Sequence, residues 1–333
     1  MNDLIALAQH NFHNIFTHAL LVGDSHVLVV YDDEHELTTI LVEALKKTLP
    51  QAEFVLFSTV TPEEIRTRFD NLHEGDLVVL IQSTNFRLNE FRLRIELFNR
   101  NLKTLEITHL SRNTPDQYET LINALAYDPE YYRPLGKSLK AMLDTVDNVE
   151  VHGDGVVLRY EGGMEDAKLN IGDYSGMKNV GGTFPIGEVF TEAKDLTKVN
   201  GSLKIFAFAG EDHKVKLFTP FTAHVTEGIL TAGEDAPEEF RKLLLLIAED
   251  EPVTVREFGL GLNPAMGKHA LVNDITAFER MKGLHLSLGA KHSVYSKPGF
   301  KKKHSRYHVD VFVDVSTMSA DGKIFFENGE YFV

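Results

Sequence analysis

Six residues in the second half of the chain carry side chains of the kind that bind divalent metals. They are Glu188, Glu257, His285, His292, His308 and Asp310. The chain has no cysteine, which excludes disulfides, iron–sulfur clusters and a thiol nucleophile. Carboxylate oxygens and imidazole nitrogens remain as the ligands for any divalent metal. These residues therefore predict a metalloenzyme whose metal is held by oxygen and nitrogen.

The closing pair, His308 and Asp310, gives the strongest local signal. Both residues alternate with valines in YHVDVFVDVS, a pattern that predicts a strand. Residues two apart on a strand project from the same face, so the imidazole and the carboxylate are expected to point together, as two ligands of one site would. An ordinary surface pair of histidine and aspartate would show the same spacing.

The other four residues are ambiguous when each is taken alone. Glu188 follows the glycine-rich stretch GGTFPIG, and Glu257 precedes GLGLNP, which predicts a carboxylate at the end of a strand. His285 alternates with leucines in GLHLSLG, as a hydrogen-bonded core histidine also would, and His292 falls in a predicted loop. Five of the fifteen histidines lie between residues 269 and 308, a density that favours one shared site.

The first half of the chain alternates strand and helix patterns and is predicted to be a scaffold. The runs HVLVVYD, EFVLFST, DLVVLIQST and KTLEITHL are typical of buried strands, and amphipathic stretches such as ELTTILVEALKKTL separate them. Strict alternation predicts a parallel sheet wrapped by helices, which is a Rossmann-like architecture. No glycine-rich phosphate loop follows the first strand, and the acidic VVYDDEHEL at that point would repel phosphate.

Beyond about residue 136 the pattern changes to short strands interrupted by glycine and aspartate. Examples are VEVHGDG, VVLRYEGG and AKLNIGD, and the helix pattern PEEFRKLLLLIAED follows later. Such segments are typical of antiparallel sheet. We therefore predict two domains: an α/β scaffold over 1–135, and an α+β catalytic domain over 136–333 that is rich in antiparallel strands and carries the metal site.

The charge and hydropathy of the chain limit its partners. The net charge of −15, from 34 basic and 49 acidic residues, disfavours nucleic acid and anionic membrane surfaces, because both require a basic patch. No apolar run approaches the roughly 18 residues needed to span a bilayer, and no secretory signal pattern is present. We expect a cytoplasmic enzyme that acts on a peptide or another small molecule.

Four segments follow one another along the second half of the chain: GEVFTEA, REFGLGLNP, HLSLG and HVD. In these segments and their order the chain resembles the aminopeptidase T and aminopeptidase S family of metallopeptidases, the thermophilic leucyl aminopeptidases. The resemblance in motif covers the second half of the chain. It implies metal ligands at Glu188, Glu257, His285, His308 and Asp310. The family pattern has a tyrosine seven residues after the first histidine; His292 stands there in this chain, and Tyr295 lies three residues further on.

The resemblance implies a mechanism with two divalent ions, zinc, cobalt or manganese, that activate a shared water for attack on the first peptide carbonyl. A glutamate, Glu188 or Glu257, would serve as general base, and His292 as ligand or proton carrier. The family also implies a homodimer.

A non-haem Fe(II) ring-cleaving dioxygenase resembling 2,5-dihydroxypyridine dioxygenase is the competing hypothesis. Its single iron would be held by two histidines and an aspartate. His292 in place of tyrosine favours this alternative, whereas Glu257 opposes it, because a histidine is expected there in the dioxygenase. A metal-free binding protein is disfavoured, since the five main ligand positions hold residues that can bind metal.

Overall fold

The computed structural model describes residues 1–88, 91–290, 295 and 307–333. The chain divides into two compact units, each built from three segments. Unit 1 comprises Met1–Arg133, Gly172–Ile186 and Ala270–Ala277, and unit 2 comprises Pro134–Ile171, Gly187–His269 and Phe278–Val333. The described residues form a five-stranded parallel sheet, a large antiparallel sheet and a two-stranded antiparallel sheet of β4 and β5, so the predicted α/β fold class is confirmed. The division into domains over 1–135 and 136–333 stays a prediction.

The helices and strands of the described residues follow in chain order. The helices are α1 (Asn2–Asn14), continued by a π-helical turn (Ile15–Ala19), α2 (Glu36–Thr48), α3 (Pro62–Asp70), α4 (Leu93–Asn99), α5 (Tyr118–Ala124), α6 (Pro129–Leu143), α7 (Glu238–Ala248) and α8 (Ile275–Phe278). The strands are β1 (Val27–Tyr31), β2 (Glu53–Leu56), β3 (Leu77–Ile81), β4 (Arg87–Leu88), β5 (Phe91–Arg92), β6 (Lys103–Ile107), β7 (Asn148–His152), β8 (Val157–Glu161), β9 (Lys168–Asn170), β10 (Gly181–Thr183), β11 (Glu188–Glu192), β12 (Val199–Ala209), β13 (Val215–Thr226), β14 (Ile229–Ala232), β15 (Val255–Gly261), β16 (Gly283–Gly289), β17 (His308–Val313), β18 (Thr317–Ala320), β19 (Lys323–Glu327) and β20 (Glu330–Tyr331).

Unit 1 is built around a parallel sheet with the strand order β10-β6-β3-β1-β2. Its central strand β3, LVVLI, is buried at every position, as expected of a parallel strand covered on both faces. Helix α2 buries Leu37, Leu41 and Leu45 at the helical spacing of four. Apolar periodicity therefore places both elements where the sequence predicts them.

The fifth strand, β10, was not predicted from the sequence. Gly181 pairs with Thr104 of β6, and a Cβ on Gly181 would lie 1.9 Å from the Thr104 carbonyl oxygen. The φ angle of Gly181 is +94°, which favours glycine. The glycines upstream of Glu188 thus allow the backbone to join the edge of the parallel sheet.

Unit 2 contains a large antiparallel sheet. Among the described residues its strands follow the order β20-β19-β18-β7-β8-β12-β17-β16-β15-β11-β9, and β13 and β14 continue from β12. Strand β16, GLHLSLG, is buried at all seven positions. Its leucines, at alternate positions, are fully buried, so the other face is left for His285 and Ser287. The leucine alternation that suggested a core strand thereby also orients a polar face.

No helix among the described residues combines the length and the apolar character that crossing a membrane requires.

Candidate metal centre

Four neighbouring antiparallel strands of unit 2 bring the described candidate residues onto one face. Strand β11 pairs with β15, β15 with β16, and β16 with β17. In this register Glu188 lies opposite Gly261, Glu192 opposite Glu257, His285 opposite Gly259, and Asp310 opposite Ser287. Directly opposed side chains lie on the same face of a sheet, and successive side chains of one strand point to opposite faces. The candidates far apart in sequence are therefore neighbours across the sheet.

Glu188, Glu257 and His285 form a compact cluster of potential ligands. One ligand atom of each lies within 4.8 Å of the others, and all three residues are buried. Nε2 of His285 lies 3.4 Å from Oε1 of Glu188 and 3.3 Å from Oε1 of Glu257. Within the described part of the chain, Nδ1 of the same ring is buried without a hydrogen-bond partner. One imidazole nitrogen thus faces two carboxylates.

The prediction that Glu257 lies at a strand end is corrected by its place inside β15. Gly259 and Gly261, which suggested a turn, are strand residues as well. A Cβ on Gly259 would lie 2.1 Å from both Cε1 and Nε2 of His285. Glycine is required there because the imidazole ring lies directly over the strand, and this packing, not a turn, explains the glycine.

The spacing within the cluster fits a divalent cation. Two ligands at about 2.0 to 2.2 Å from one ion, at octahedral to tetrahedral angles, lie roughly 2.8 to 3.6 Å apart. The two carboxylate oxygens at 3.3 and 3.4 Å from the imidazole nitrogen satisfy this condition. Two carboxylates and one imidazole suit zinc, manganese, cobalt or Fe(II). Glu188, Glu257 and His285 can therefore hold a metal ion.

Neighbouring charges and hydrogen bonds together shift the pKa values of Glu188 and His285 further than burial does. Burial alone would raise the pKa of Glu188, but Arg280 and His285 hold that pKa below its ordinary value. Burial would lower the pKa of His285, yet hydrogen bonds with Glu188 and Glu257 raise it well above 6.5. These interactions favour the protonated imidazole between the two carboxylates, and a metal that bound to this nitrogen would displace its proton.

His308 and Asp310 form a second pair on β17. Nε2 of His308 lies 3.4 Å from Oδ1 of Asp310, and Nδ1 of His308 lies 3.1 Å from the carbonyl oxygen of Ala290, to which it donates. A histidine anchored by one nitrogen to a backbone carbonyl presents its other nitrogen in a fixed direction. Asp310 is buried, and among the described residues its Oδ1 accepts no hydrogen bond.

The His308–Asp310 pair also has shifted pKa values. The side chain of His308 is 39% exposed. Partial desolvation would lower its pKa, but the Asp310 charge raises that pKa to about 10, and the charge of Glu257 contributes in the same direction. Burial would raise the pKa of Asp310, but His308 holds it below its ordinary value. Since Glu257 contacts His285 and also acts on His308, its carboxylate is electrostatically coupled to both histidines.

Sequence reasoning missed two charged residues beside the cluster, Glu279 and Arg280. Nη1 of Arg280 lies 3.1 Å from Oε2 of Glu188 and also contacts the carboxylate of Glu279. The segment FERMKG offers no periodic pattern, and a charged residue just before an apolar strand was the only available signal. Arg280 is 8% exposed, so a buried guanidinium belongs to the immediate surroundings of Glu188.

His292, which stands at the position of the family tyrosine, lies outside the described residues. Tyr295 is described and buried, with its hydroxyl 3.0 Å from the carbonyl oxygen of Asp166 and 3.3 Å from that of Phe190. Burial raises the pKa of this hydroxyl, and the negative charge of Glu257 adds to the effect. A tyrosine hydroxyl therefore lies against β11, two residues along the strand from Glu188.

Comparison with known proteins gives fold neighbours and no family. No protein-family model and no curated protein matches the chain. The structure of 2,5-dihydroxypyridine dioxygenase from Pseudomonas putida KT2440 matches 99% of this chain and 97% of its own, at 14% identity and a TM-score of 0.64. Wild-type AmpT (aminopeptidase T) from Thermus thermophilus matches 100% of this chain and 99% of its own, at 14% identity and a TM-score of 0.61. At this identity the likeness shows a shared fold.

Proposed function

We propose that the protein is a metal-dependent, aminopeptidase-like hydrolase that releases N-terminal residues from peptides. The observation that carries this proposal is the buried convergence of Glu188, Glu257 and His285, with a glutamate at position 257. Two carboxylates give the centre a strongly anionic ligand set, which suits a divalent ion that activates water. The two fold neighbours are both enzymes, and one is an aminopeptidase, which supports the proposal at the level of the fold.

Four of the five described candidates form two pairs of proposed ligands. Glu188 and His285 would hold one ion, His308 and Asp310 a second, and Glu257, which is coupled to both histidines, would lie between them. A bound divalent ion supplies a Lewis acid and lowers the pKa of a bound water. Zinc, cobalt and manganese all fit these oxygen and nitrogen donors.

The protein's own groups supply the proton transfer. Glu188 is engaged by the guanidinium of Arg280, which commits its carboxylate to binding. His285 is the ion-pair partner found for the Glu257 side chain in the described residues. We assign Glu257 two roles: it binds metal, and one of its carboxylate oxygens accepts the proton of the attacking water. His292, as ligand or proton carrier, stays a prediction, as do the peptide substrate and the homodimer.

The second candidate function is a ring-cleaving dioxygenase with a single Fe(II). The fold likeness to 2,5-dihydroxypyridine dioxygenase, with a TM-score of 0.64, favours it. His285, His308 and Asp310 together provide two imidazoles and one carboxylate, a set that suits non-haem iron with open positions. Glu257 is the residue that distinguishes the two proposals, because a buried glutamate at this point adds a second anionic ligand.

Metal content and two parallel assays test the proposal. Protein purified without chelator is expected to contain zinc, manganese or cobalt and to hydrolyse aminoacyl-p-nitroanilides, with no oxygen uptake on dihydroxypyridines. Chelated protein should also gain about 2.7 kcal/mol of unfolding free energy when Co²⁺ is supplied at 100 times its Kd. Iron with oxygen uptake would instead establish the dioxygenase, and protein that takes up no metal on reconstitution would refute both functions.

A further inference from the structure

Arg280 is a buried guanidinium that contacts one oxygen of a candidate ligand. Oε1 of Glu188 lies toward His285, at 3.4 Å from Nε2, whereas Oε2 lies 3.1 Å from Nη1 of Arg280. The two oxygens of this carboxylate are thus engaged by different partners. Nε of Arg280 is buried and, within the described residues, has no hydrogen-bond partner, so the guanidinium is held chiefly by its contacts with carboxylates.

The backbone of Arg280 is fixed against the end of β15. Its carbonyl oxygen accepts a hydrogen bond of 2.9 Å from the amide of Asn263. A Cβ on Gly261 would lie 1.9 Å from the Met281 carbonyl oxygen and 2.8 Å from the carbonyl carbon of Arg280, so only glycine permits this approach. Because Gly261 lies opposite Glu188 in the sheet, the glycine brings the arginine to its carboxylate.

We propose that Arg280 is a positioning residue of the metal centre: it occupies Oε2 of Glu188 and leaves only Oε1 to bind the ion. This inference rests on the proposed metal-dependent function. Ligating carboxylates are commonly fixed by hydrogen bonds from a neighbouring group, and loss of such a partner typically weakens metal binding by about 10- to 100-fold. Arg280 here supplies such a partner through an ion-pair contact of 3.1 Å from a buried position.

Glu279 explains why an arginine can be kept at this point. Its carboxylate contacts the same Nη1 that contacts Glu188, so the guanidinium lies between two acidic groups. A planar guanidinium can bind two carboxylates at once, whereas the ammonium of lysine acts as a point charge. Lysine at this position is therefore expected to preserve the charge but to orient Glu188 less well.

Titration of chelated protein with Co²⁺ tests the inference through binding and absorption, independently of activity. In Arg280→Met we expect Co²⁺ affinity to fall about 10- to 100-fold. The visible Co²⁺ bands are expected to weaken, because Glu188, freed to bind through both oxygens, raises the coordination number. Since Arg280→Met leaves two buried carboxylates without a cation, Arg280→Lys is the second variant, and it should recover part of the affinity.

Lys282→Met is the matched control. Lys282 lies two residues from Arg280 and pairs with Glu330, outside the cluster, so this variant should bind Co²⁺ like the wild type and give the same spectrum. Wild-type affinity and absorption in both Arg280 variants would overturn the positioning role and leave the metal centre standing. Wild-type protein that binds no Co²⁺ would overturn the proposed function, and this inference with it.

Discussion

The parallel sheet of unit 1 and the large antiparallel sheet of unit 2 both bury carboxylates, but they differ in the number of hydrogen-bond donors around these carboxylates. In the parallel sheet Glu106 accepts hydrogen bonds from Nε2 of Gln82 at 3.3 Å and from Oγ1 of Thr183 at 3.2 Å, and it lies 3.0 Å from Nη1 of Arg94. Each oxygen of this carboxylate therefore has a donor. Glu106 is 3% exposed, so its burial is fully compensated within the protein.

In the antiparallel sheet, by contrast, two of the candidate carboxylates share one donor. Glu188 and Glu257 share a single imidazole nitrogen of His285, and Arg280 contacts the other oxygen of Glu188. Oδ1 of Asp310 has an ion-pair contact with Nε2 of His308 at 3.4 Å and accepts no shorter hydrogen bond among the described residues. A buried acceptor without a donor is costly, and in a low dielectric the cost grows. The comparison shows that burial alone does not separate a fully hydrogen-bonded carboxylate from a candidate metal ligand. We expect the metal ligands to be the carboxylates that share their donors.

The largest expected effect tests this contrast directly, by altering one member of each group. His285→Ala removes a ligand and should weaken Co²⁺ binding by more than about 100-fold, beyond the loss expected when only a ligand's partner is removed. Glu106→Gln should leave Co²⁺ affinity unchanged and instead lower the free energy of unfolding by roughly 1 to 3 kcal/mol, because buried donors lose their acceptor. Calorimetric titration and urea unfolding measure the two quantities. Unchanged Co²⁺ affinity in His285→Ala would remove the distinction between the sheets.

A methyl group beneath the imidazole is expected to have the next largest effect. Gly259→Ala places a Cβ 2.1 Å from the His285 ring, so the ring must move, and Co²⁺ affinity should fall about 10- to 100-fold, as for loss of a group that orients a ligand. Gly267→Ala is the control, since a Cβ there would meet no atom within 4 Å. If both alanine variants bind Co²⁺ with the same affinity as the wild type, Gly259 does not position His285.

The smallest effect concerns Asp274, a buried carboxylate of unit 1 with one strong partner. Burial raises its pKa to about 6, and Arg112, with Nη1 2.8 Å from Oδ1, offsets only part of that effect. Because the folded pKa lies above the ordinary 3.8, the stability linked to Asp274 is full below about pH 4 and is lost as the pH rises through 6.

Asp274→Asn should therefore remove a pH dependence from unfolding. The expected change in slope is at most about 1.4 kcal/mol per pH unit between pH 4 and 6, measured by urea unfolding across that range without metal. The variant should not alter Co²⁺ binding. A slope identical to that of the wild type would show that Asp274 stays ionised in the fold, and would place it with the compensated carboxylates such as Glu106.

Local patterns predicted most of the elements and part of the site. The apolar runs of β1, β2, β3 and β6 and the alternation in β16 and β17 follow from periodicity, which depends on neighbouring residues only. His308 and Asp310, two residues apart, were placed together by the same rule. Residues whose relation is local in sequence were therefore within reach of sequence reasoning.

Other features depend on contacts between distant segments. The roles of Arg280 and Gly259 depend on distant residues: Arg280 contacts Glu188, and Gly259 makes room for His285. The pairing of β11 with β15 and of β15 with β16 brings these segments together. Strand β10 contains two glycines and one threonine, so it has no strand pattern and forms only because Gly181 fits against Thr104. The expectation that Glu257 lies at a strand end was wrong because GLGLNP was interpreted as a turn, when its glycine makes room for a ring.

The position of the short strand β10 matters for any attempt to divide this chain into fragments. Gly181–Thr183 belongs to the parallel sheet, and only four residues separate it from Glu188, the first candidate ligand. A fragment that begins near residue 136 would carry this strand without β6, its pairing partner. The chain passes between its two units five times, so no single cut separates the segments of unit 2, which carry the candidate ligands, from the segments of unit 1.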